Sequence, residues 1–305
     1  MQIYDRFSRP ITSLRISITE RCNLNCFYCH REGVTKISKI ELTPEEIERV
    51  VKISAKFGIT RVKITGGEPL LRRDVVEIVE RISSVEGIKD VSMTTNGILL
   101  ENFAKKLKKA GLNRINISLD TLDPEKYKFI TGGGDIKKVL SGIKAAVDAK
   151  LFPVKINVVV MRGLNENEVF DIIEKFSSPR IVIQLIELVN TNNAFFDEYY
   201  YNLTPIEEKI KKIAKKVDIR RFMHNRKKYI LDNGEVEFVR PMHNTEFCAH
   251  CTRMRVTADG KFKPCLMRDD NLVDFLEALR KKDYKKVEKL FLEAVRRREP
   301  YFKKV

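Results

Sequence analysis

Tryptophan is absent from this sequence, histidine occurs only four times in 305 residues, and all six cysteines fall in two short windows. No stretch approaches the roughly 18 consecutive apolar residues that a membrane-spanning helix needs. The longest apolar runs, such as Ile156 to Met161, are short and read as buried strands. The opening residues, MQIYDRFSRPITSLRISIT, lack the basic-then-apolar layout of a secretory signal. A cytoplasmic protein is therefore expected. The strand–helix units share no sequence repeat, which excludes a solenoid, and no recognised nucleic-acid module is present.

Cysteine is missing everywhere except at Cys22, Cys26 and Cys29, and again at Cys248, Cys251 and Cys265. A scattered disulfide framework is thereby excluded, and a reducing cytosol argues against disulfides in any case. Tight triplets with short gaps are what metal sites use. The formal net charge of +16 asks for an anionic partner or a solvated basic surface. The Lys-rich helices after Pro205 and Lys281 fit the solvated surface, and a small polyanionic substrate fits the rest better than nucleic acid. The charged bias, rich in Lys and Glu, is the kind found in heat-adapted proteins.

Apolar, β-branched runs recur at Leu14–Thr19, Val62–Thr65, Val91–Thr94, Arg114–Leu119, Val154–Val160 and Ile181–Leu188. Amphipathic helical patterns separate them near Pro44–Phe57, Asp74–Ser83, Phe103–Ala110, Ile136–Ala149 and Glu166–Phe176. Thr43, Pro44 and Glu46 spell a capping box, with Leu42 and Ile47 spaced as a hydrophobic staple, and Thr204, Pro205 and Glu207 repeat the arrangement. Alternation of this kind implies parallel strands joined by right-handed crossovers. Six strands, not eight, predict an α/β fold: an open, six-stranded partial (β/α)6 barrel of TIM type over residues 1–203. A doubly wound open sheet is the alternative. Residues 204–305 change texture. Their pattern predicts a hairpin at Asp232-Asn233-Gly234, a turn at Asp259-Gly260, and helices over Leu272–Leu279 and Tyr284–Arg298. With no flexible linker, this α+β extension is expected to pack on the barrel.

The first triplet, Cys22-Asn-Leu-Asn-Cys26-Phe-Tyr-Cys29, directly follows the first strand, at the end of the barrel where chemistry sits. Three thiolates are one short of the four that usually ligate a [4Fe–4S] cluster, so one iron would stay open to an outside chelator. A zinc knuckle or incidental core cysteines are the alternatives. Ile64-Thr65-Gly66-Gly67-Glu68-Pro69 ends the second strand, where glycines permit close backbone approach and Glu68 offers an acceptor for an ammonium group. In the second group, two residues separate Cys248 from Cys251 and thirteen separate Cys251 from Cys265. His250 or His243 could complete a Cys3His zinc site. Otherwise this is a second cluster with an open iron. Strand alternation puts Arg253 and Arg255 on one face between the cluster ligands and lets Arg15 point into a cavity.

CNLNCFYC resembles the CxxxCxxC motif of the radical S-adenosylmethionine (SAM) superfamily, and GGEP resembles that superfamily's SAM-contacting motif. The second group, CxxCxRxR with a following Asp-Gly and Cys-Leu, is similar to that of the GTP 3′,8-cyclase family of molybdenum cofactor biosynthesis. Arg9-Pro10, LRISITERCNLNCFYC, ITGGEPLLRRD, TTNGILL, INISLDTLD and VKINVVVMRGLNENE extend the likeness nearly end to end.

The resemblance implies two [4Fe–4S] clusters, on Cys22, Cys26 and Cys29 and on Cys248, Cys251 and Cys265. It implies SAM contacts at Tyr28, Gly67, Glu68, Ser118 and Val189. GTP contacts are implied at Arg15, Lys63, Thr94, Lys155, Arg253, Met254 and Arg255, with Arg253 and Arg255 also taking part in catalysis. The activity implied converts GTP to (8S)-3′,8-cyclo-7,8-dihydroguanosine 5′-triphosphate by a 5′-deoxyadenosyl radical. An electron donor, a homodimer and a downstream cyclic pyranopterin monophosphate synthase are the implied partners, with no nucleic acid and no membrane.

Three features depart from the family pattern. Gln184 stands where bacterial relatives usually have Arg, Val189 stands where they usually have Met, and the chain ends Tyr301-Phe302-Lys303-Lys304-Val305 without a Gly-Gly tail. The rival readings are another two-cluster radical SAM enzyme of the peptide-maturase type and a metal-dependent RNA-binding protein. The first usually carries more C-terminal cysteines, and the second leaves GGEP unexplained.

Overall fold

Strand β1 (Ser13–Ser17) buries Leu14 and Ile16 completely while Ser13 and Arg15 stay partly open. The period of two recurs in β2 (Arg61–Thr65), where Val62 and Ile64 are buried and Arg61 and Lys63 face the other way. These strands are apolar on the face covered by helices and polar on the opposite face. A computed structural model of the chain describes residues 2–34, 38–190, 195–220, 224–242 and 244–302. Strands β3 (Asp90–Thr95), β4 (Arg114–Ser118), β5 (Val154–Val160) and β6 (Ile181–Glu187) follow in spatial order, each parallel to the one before. Helices α1 (Pro44–Lys56), α2 (Val75–Ser83), α3 (Ala104–Lys109), α4 (Pro124–Thr131), α5 (Ile136–Asp148) and α6 (Val169–Lys175) make the crossovers. All six strands and five of these helices match the sequence expectation within a few residues. The short α4 was not anticipated.

The C-terminal region does more than pack on this unit. After α7 (Phe195–Tyr199) and α8 (Thr204–Ile213) come β7 (Lys216–Arg220), β8 (Arg226–Leu231) and β9 (Gly234–Val239). Beyond them lie α9 (Thr245–Ala249), β10 (Arg253–Val256), β11 (Lys261–Lys263), β12 (Val273–Asp274), α10 (Leu276–Arg280) and α11 (Tyr284–Arg296). Strand β9 lies parallel to β6 and β10 lies parallel to β1, so the single sheet reads β12-β11-β10-β1-β2-β3-β4-β5-β6-β9-β8-β7. Both edges of the first six strands are thus covered by late-sequence strands. The hairpin at Asp232-Asn233-Gly234 and the turn at Asp259-Gly260 form as expected.

Two local readings are corrected. The helix expected over Leu272–Leu279 begins only at Leu276, because Val273 pairs with Phe262 in the sheet and the Asp274 carboxylate caps the Leu276 N–H. The capping box at Thr204 does not form. Glu207 turns inward instead, accepting hydrogen bonds from the Tyr229 hydroxyl and from Arg240. The box at Thr43 and Glu46 is complete, over a staple whose Leu42 and Ile47 are buried.

One glycine bears directly on the site. Gly142, inside α5, lies so close to the turn after β3 that a Cβ there would stand 2.4 Å from the Gly97 carbonyl oxygen. Glycine at both positions lets the helix seat that turn, which carries Thr95 and Asn96. Among the described residues no helix is long and apolar enough to cross a membrane.

Candidate active site

The polar faces of the parallel strands line one cavity of about 400 Å³, and all six cysteines open onto it. In-register pairing sets Arg15 of β1 between Lys63 of β2 and Arg255 of β10. Ser92, Thr94, Asn116, Ser118, Asn157 and Gln184 continue the lining from β3 to β6.

The first triplet rides on the loop after β1. Its backbone leans on the end of α4, with the Asn25 N–H donating to the Thr131 carbonyl at 2.9 Å. On the other side the Gly66-Gly67 turn comes so close that a Cβ on Gly67 would meet the Arg21 carbonyl oxygen at 2.2 Å. Backbone N–H groups of Leu24 and Arg31 point at the sulfurs of Cys22 and Cys29, at 3.5 and 3.4 Å. Burial pushes all three thiols up, Cys26 the most. A bound cation would reverse that shift by stabilising thiolate.

Glu68 differs in position from the expectation. Its side chain is fully buried and does not line the cavity. Its carboxylate accepts from the Leu70 N–H (3.0 Å), the Thr95 hydroxyl (2.7 Å) and the Asn96 N–H (2.7 Å). It therefore ties the end of β2 to the end of β3 and leaves the Gly66-Gly67 backbone to face the cavity. The Tyr28 hydroxyl donates to Asp120 at 2.5 Å, and Asp120 also accepts from the Val159 N–H. Burial raises the Asp120 carboxyl to about 6 despite those two bonds. Asp120 and Asn96 were not singled out as site residues, although both stand in the quoted INISLDTLD and TTNGILL segments. Ser118 and Val189 line the cavity.

The second triplet sits on α9, two residues past its end, and after β11. Cys248, Cys251 and Cys265 are free thiols. Burial pushes the Cys251 thiol up, but the Arg298 and Arg253 guanidiniums outweigh it and bring the group to about 7. His250 Nδ1 is engaged with the Glu246 carbonyl at 3.0 Å and the ring does not line the cavity, and His243 lies outside the described residues. Among the described residues no group of three or more His, Cys, Asp or Glu side chains is gathered so as to hold a metal ion. A four-iron cube instead takes one thiolate per iron, and two sets of three thiols on one cavity fit two such cubes, each with an open iron.

Positive charge is concentrated here. Burial and the neighbouring cations, Arg15 and Arg114 first, hold the Lys63 ammonium far below the ordinary lysine range. Burial lowers Arg15, and burial with Arg15 and Arg255 brings Arg253 to about 9. Glu32 offsets part of this charge, 3.1 Å from Arg15. Burial alone would raise Glu32, but Arg15, His30 and Arg255 hold it at about 2. Arg15 Nε, Thr94 Oγ1 and Asn116 Oδ1 are buried without a hydrogen-bond partner. Unpaired buried polar groups of this kind are costly, and a polyanion in the cavity would relieve it for the two donors, Arg15 and Thr94.

Two of the expected GTP contacts are placed differently. Met254 is fully buried on the core face opposite Arg253 and Arg255, in register with Leu14, and does not line the cavity. Strand alternation forces this, since its two neighbours point inward. Lys155 lines the cavity wall but is bound at 2.8 Å to both oxygens of Glu237, a residue 1% exposed. Gln184 donates to the same carboxylate at 2.7 Å, and Arg220 is also paired with it. Sequence patterning gave no sign of Glu237, because nothing local marks a buried acid on an alternating strand.

A parallel sheet whose first loop carries CxxxCxxC, backed by a Gly-Gly turn, defines a radical SAM protein, and the Radical SAM superfamily matches residues 16–176. The Molybdenum Cofactor Synthesis C family matches residues 181–304. The chain is 56% identical over 299 residues to a probable GTP 3′,8-cyclase of Methanocaldococcus jannaschii, covering 98% of this chain and 99% of that protein. It is 52% identical over 310 residues to a protein of the same name in Thermococcus kodakarensis, covering 99% and 100%. The chain belongs to the GTP 3′,8-cyclase family. Among solved structures, Streptococcus suis SuiB bound to S-adenosylmethionine matches with a TM-score of 0.64 at 18% identity, over 85% of this chain and 62% of that one. A structure of anSMEcpe with bound AdoMet matches at 0.59 and 19% identity, over 90% and 80%. At such identities the likeness speaks to the fold.

Proposed function

We propose that the protein is a radical SAM GTP 3′,8-cyclase that forms (8S)-3′,8-cyclo-7,8-dihydroguanosine 5′-triphosphate in the first step of molybdenum cofactor biosynthesis. The observation that carries this reading is the single cavity joining both cysteine triplets, with Arg15, Lys63, Arg253 and Arg255 between them. In this reading the sheet is a partial (β/α)6 barrel over residues 1–203, and residues 204–305 add the second cluster and part of the substrate site. Cys22, Cys26 and Cys29 hold one [4Fe–4S] cluster, and Cys248, Cys251 and Cys265 hold the other. Such a cluster with SAM bound would supply radical chemistry of the 5′-deoxyadenosyl kind at this end of the cavity.

The chain's own residues bind, orient and exclude water. Arg15, Lys63, Arg253 and Arg255 neutralise the triphosphate in a desolvated pocket, where charge-assisted bonds are strongest. Thr94 offers its unpaired hydroxyl to the nucleotide. The Gly66-Gly67 backbone, Ser118 and Val189 frame SAM, and Tyr28, fixed by Asp120, walls that end against water. Glu68 positions the Gly-Gly turn from behind. A homodimer, a separate electron donor and a synthase that receives the product complete the proposed setting, in the cytoplasm.

The test is anaerobic incubation of cluster-reconstituted protein with SAM, a strong reductant and GTP, followed by mass spectrometry. GTP-dependent 5′-deoxyadenosine together with a nucleotide isomeric with GTP is the expected result. Absence of SAM cleavage with both clusters intact would overturn the reading. Replacing Arg253 or Arg255 by Ala removes charged hydrogen bonds of about 1.5–3 kcal/mol, a loss of GTP affinity of roughly 10- to 150-fold. Unchanged GTP binding in both variants, measured by calorimetry, would take them out of the site.

A further inference from the structure

The Arg9-Pro10 segment, part of the family likeness, has no place in the chemistry above, yet Arg9 is one of the most enclosed cations in the protein. It belongs to a buried triad with Asp5 and Arg298, whose side chains are 5%, 0% and 1% exposed. Arg9 Nε donates to Asp5 Oδ2 at 2.8 Å, and Arg298 Nη1 donates to the same oxygen at 2.7 Å. Each arginine spends its remaining fork on the second cysteine triplet. Arg9 Nη1 donates to the Cys248 carbonyl at 2.9 Å, and Arg298 Nη2 donates to the Cys251 carbonyl at 2.6 Å. The shared carboxylate also accepts the Arg9 and Phe7 N–H groups at 3.0 Å.

Arg298 is delivered from the far end of the chain. It follows α11, whose Phe291 stacks on Phe57 behind α1 at a ring separation of 5.3 Å. Two chain segments separated by 293 residues thus meet on the backbone of one CxxC. A buried Asp–Arg pair alone would be neutral. The second arginine leaves the triad with one net positive charge, in a dry environment against Cys251. Burying an extra charge is expensive unless something nearby is negative, and a thiolate-ligated cluster is the negative group this position adjoins.

We propose that Asp5, Arg9 and Arg298 are positioning residues for the second cluster, fixing the carbonyls of Cys248 and Cys251 and setting its reduction potential through their net positive charge. The proposal rests on the reading that the second triplet holds an iron–sulfur cluster. Cluster potentials respond to net charge and to hydrogen bonding around the ligands, and the partners of ligating residues tune metal sites in general. A positive charge favours the reduced, more negative cluster, so removing it lowers the potential and adding to it raises the potential.

The experiment uses the full chain with Cys22, Cys26 and Cys29 all changed to Ala, reconstituted anaerobically so that only the second triplet is loaded. Iron and sulfide are measured first, and the midpoint potential is then followed by electron paramagnetic resonance during a redox titration. Arg298→Met is expected to shift the midpoint to more negative values and Asp5→Asn to more positive ones. A tenfold change in the oxidised-to-reduced ratio would read as 59 mV for this one-electron couple. Arg298→Lys, which keeps the charge, stays nearer the parent than Arg298→Met. If Arg298→Met holds no iron, Asp5→Asn and Arg298→Lys carry the test alone. Potentials unchanged, or shifted in the same direction by Asp5→Asn and Arg298→Met, with iron intact would overturn the proposal. A parent that binds no iron or sulfide would instead defeat the two-cluster reading itself.

Discussion

Cys22→Ala abolishes SAM cleavage outright, whereas Cys251→Ala still cleaves SAM but forms no cyclised nucleotide. The asymmetry is expected from where the two sulfurs sit. Cys22 belongs to the loop after β1, with the Leu24 N–H and the Asn96 amide pointing at it. That loop also meets the Gly66-Gly67 turn. In the proposed reading, removing one of the three thiolates there would take away the electron source for the first bond cleavage. Cys251 lies before β10, at the other end of the strand pair from Cys22 and beside Arg253 and Arg298, and its loss leaves the first loop's hydrogen bonds untouched. In the proposed reading, radical formation would then continue uncoupled from cyclisation. Chromatographic measurement of 5′-deoxyadenosine and mass spectrometry of the nucleotide separate the two losses. Full cyclisation by Cys251→Ala would sink the two-cluster assignment.

Glu237→Gln has the largest expected effect on stability. Its carboxylate is almost completely enclosed and holds Lys155, Gln184 and Arg220 together, with Arg226 at 3.8 Å. An amide of the same shape leaves buried cations without their counter-charge, at a cost of about 3–5 kcal/mol. The pH dependence follows from the direction of the shift. Burial would raise Glu237, but Lys155, Arg226 and Arg220 more than reverse it, so the folded-state value lies below the unfolded one. The stabilisation is therefore fully present above the unfolded glutamate range, about 4.3, and is lost as the pH falls through the lower, folded value. Denaturant unfolding should show the gap between wild type and variant at full size near pH 6 and closing in stronger acid; above about 7, to which burial brings Lys155, it narrows as that ammonium loses its proton. Equal stability at pH 7 would mean that the carboxylate does not organise this wall. The same cluster gives Gln184 its place: its amide donates to Glu237, beside Arg220 of β7 and Arg226 of β8.

The first six strands were legible because their apolar residues alternate or run together between well-capped helices, as Thr43 and Glu46 show for α1. The cysteine triplets were legible because their spacing is rare and local. What escaped was whatever depends on distant pairing. The place of β10 beside β1 and of β9 beside β6 leaves no local trace, so the late region read as an appendage when it extends the sheet itself. Met254 was carried along with its neighbours by resemblance, although alternation between Arg253 and Arg255 already turns it to the core. Glu207 carried a capping signature that lost to a buried tyrosine and an arginine brought by β8 and the residue after β9. Glu68 looked like a ligand-facing acceptor, yet three donors from two strand ends had already claimed it.

The way late strands close both edges also fixes a schedule for synthesis. Thr252, which receives the Ser13 N–H, is translated 239 residues after it. At ribosomal speeds of about 5–20 residues per second, β1 waits roughly 10–50 s for its neighbour on that side. During that interval its free edge is a template for mispairing, and the first three cysteines stand without the wall that later encloses them. Helpers that shield nascent chains, and any iron–sulfur delivery that acts before release, meet the protein in this half-closed form. Arg298 is made 47 residues after Cys251, so the backbone of the second cysteine group stays without that partner for longer still.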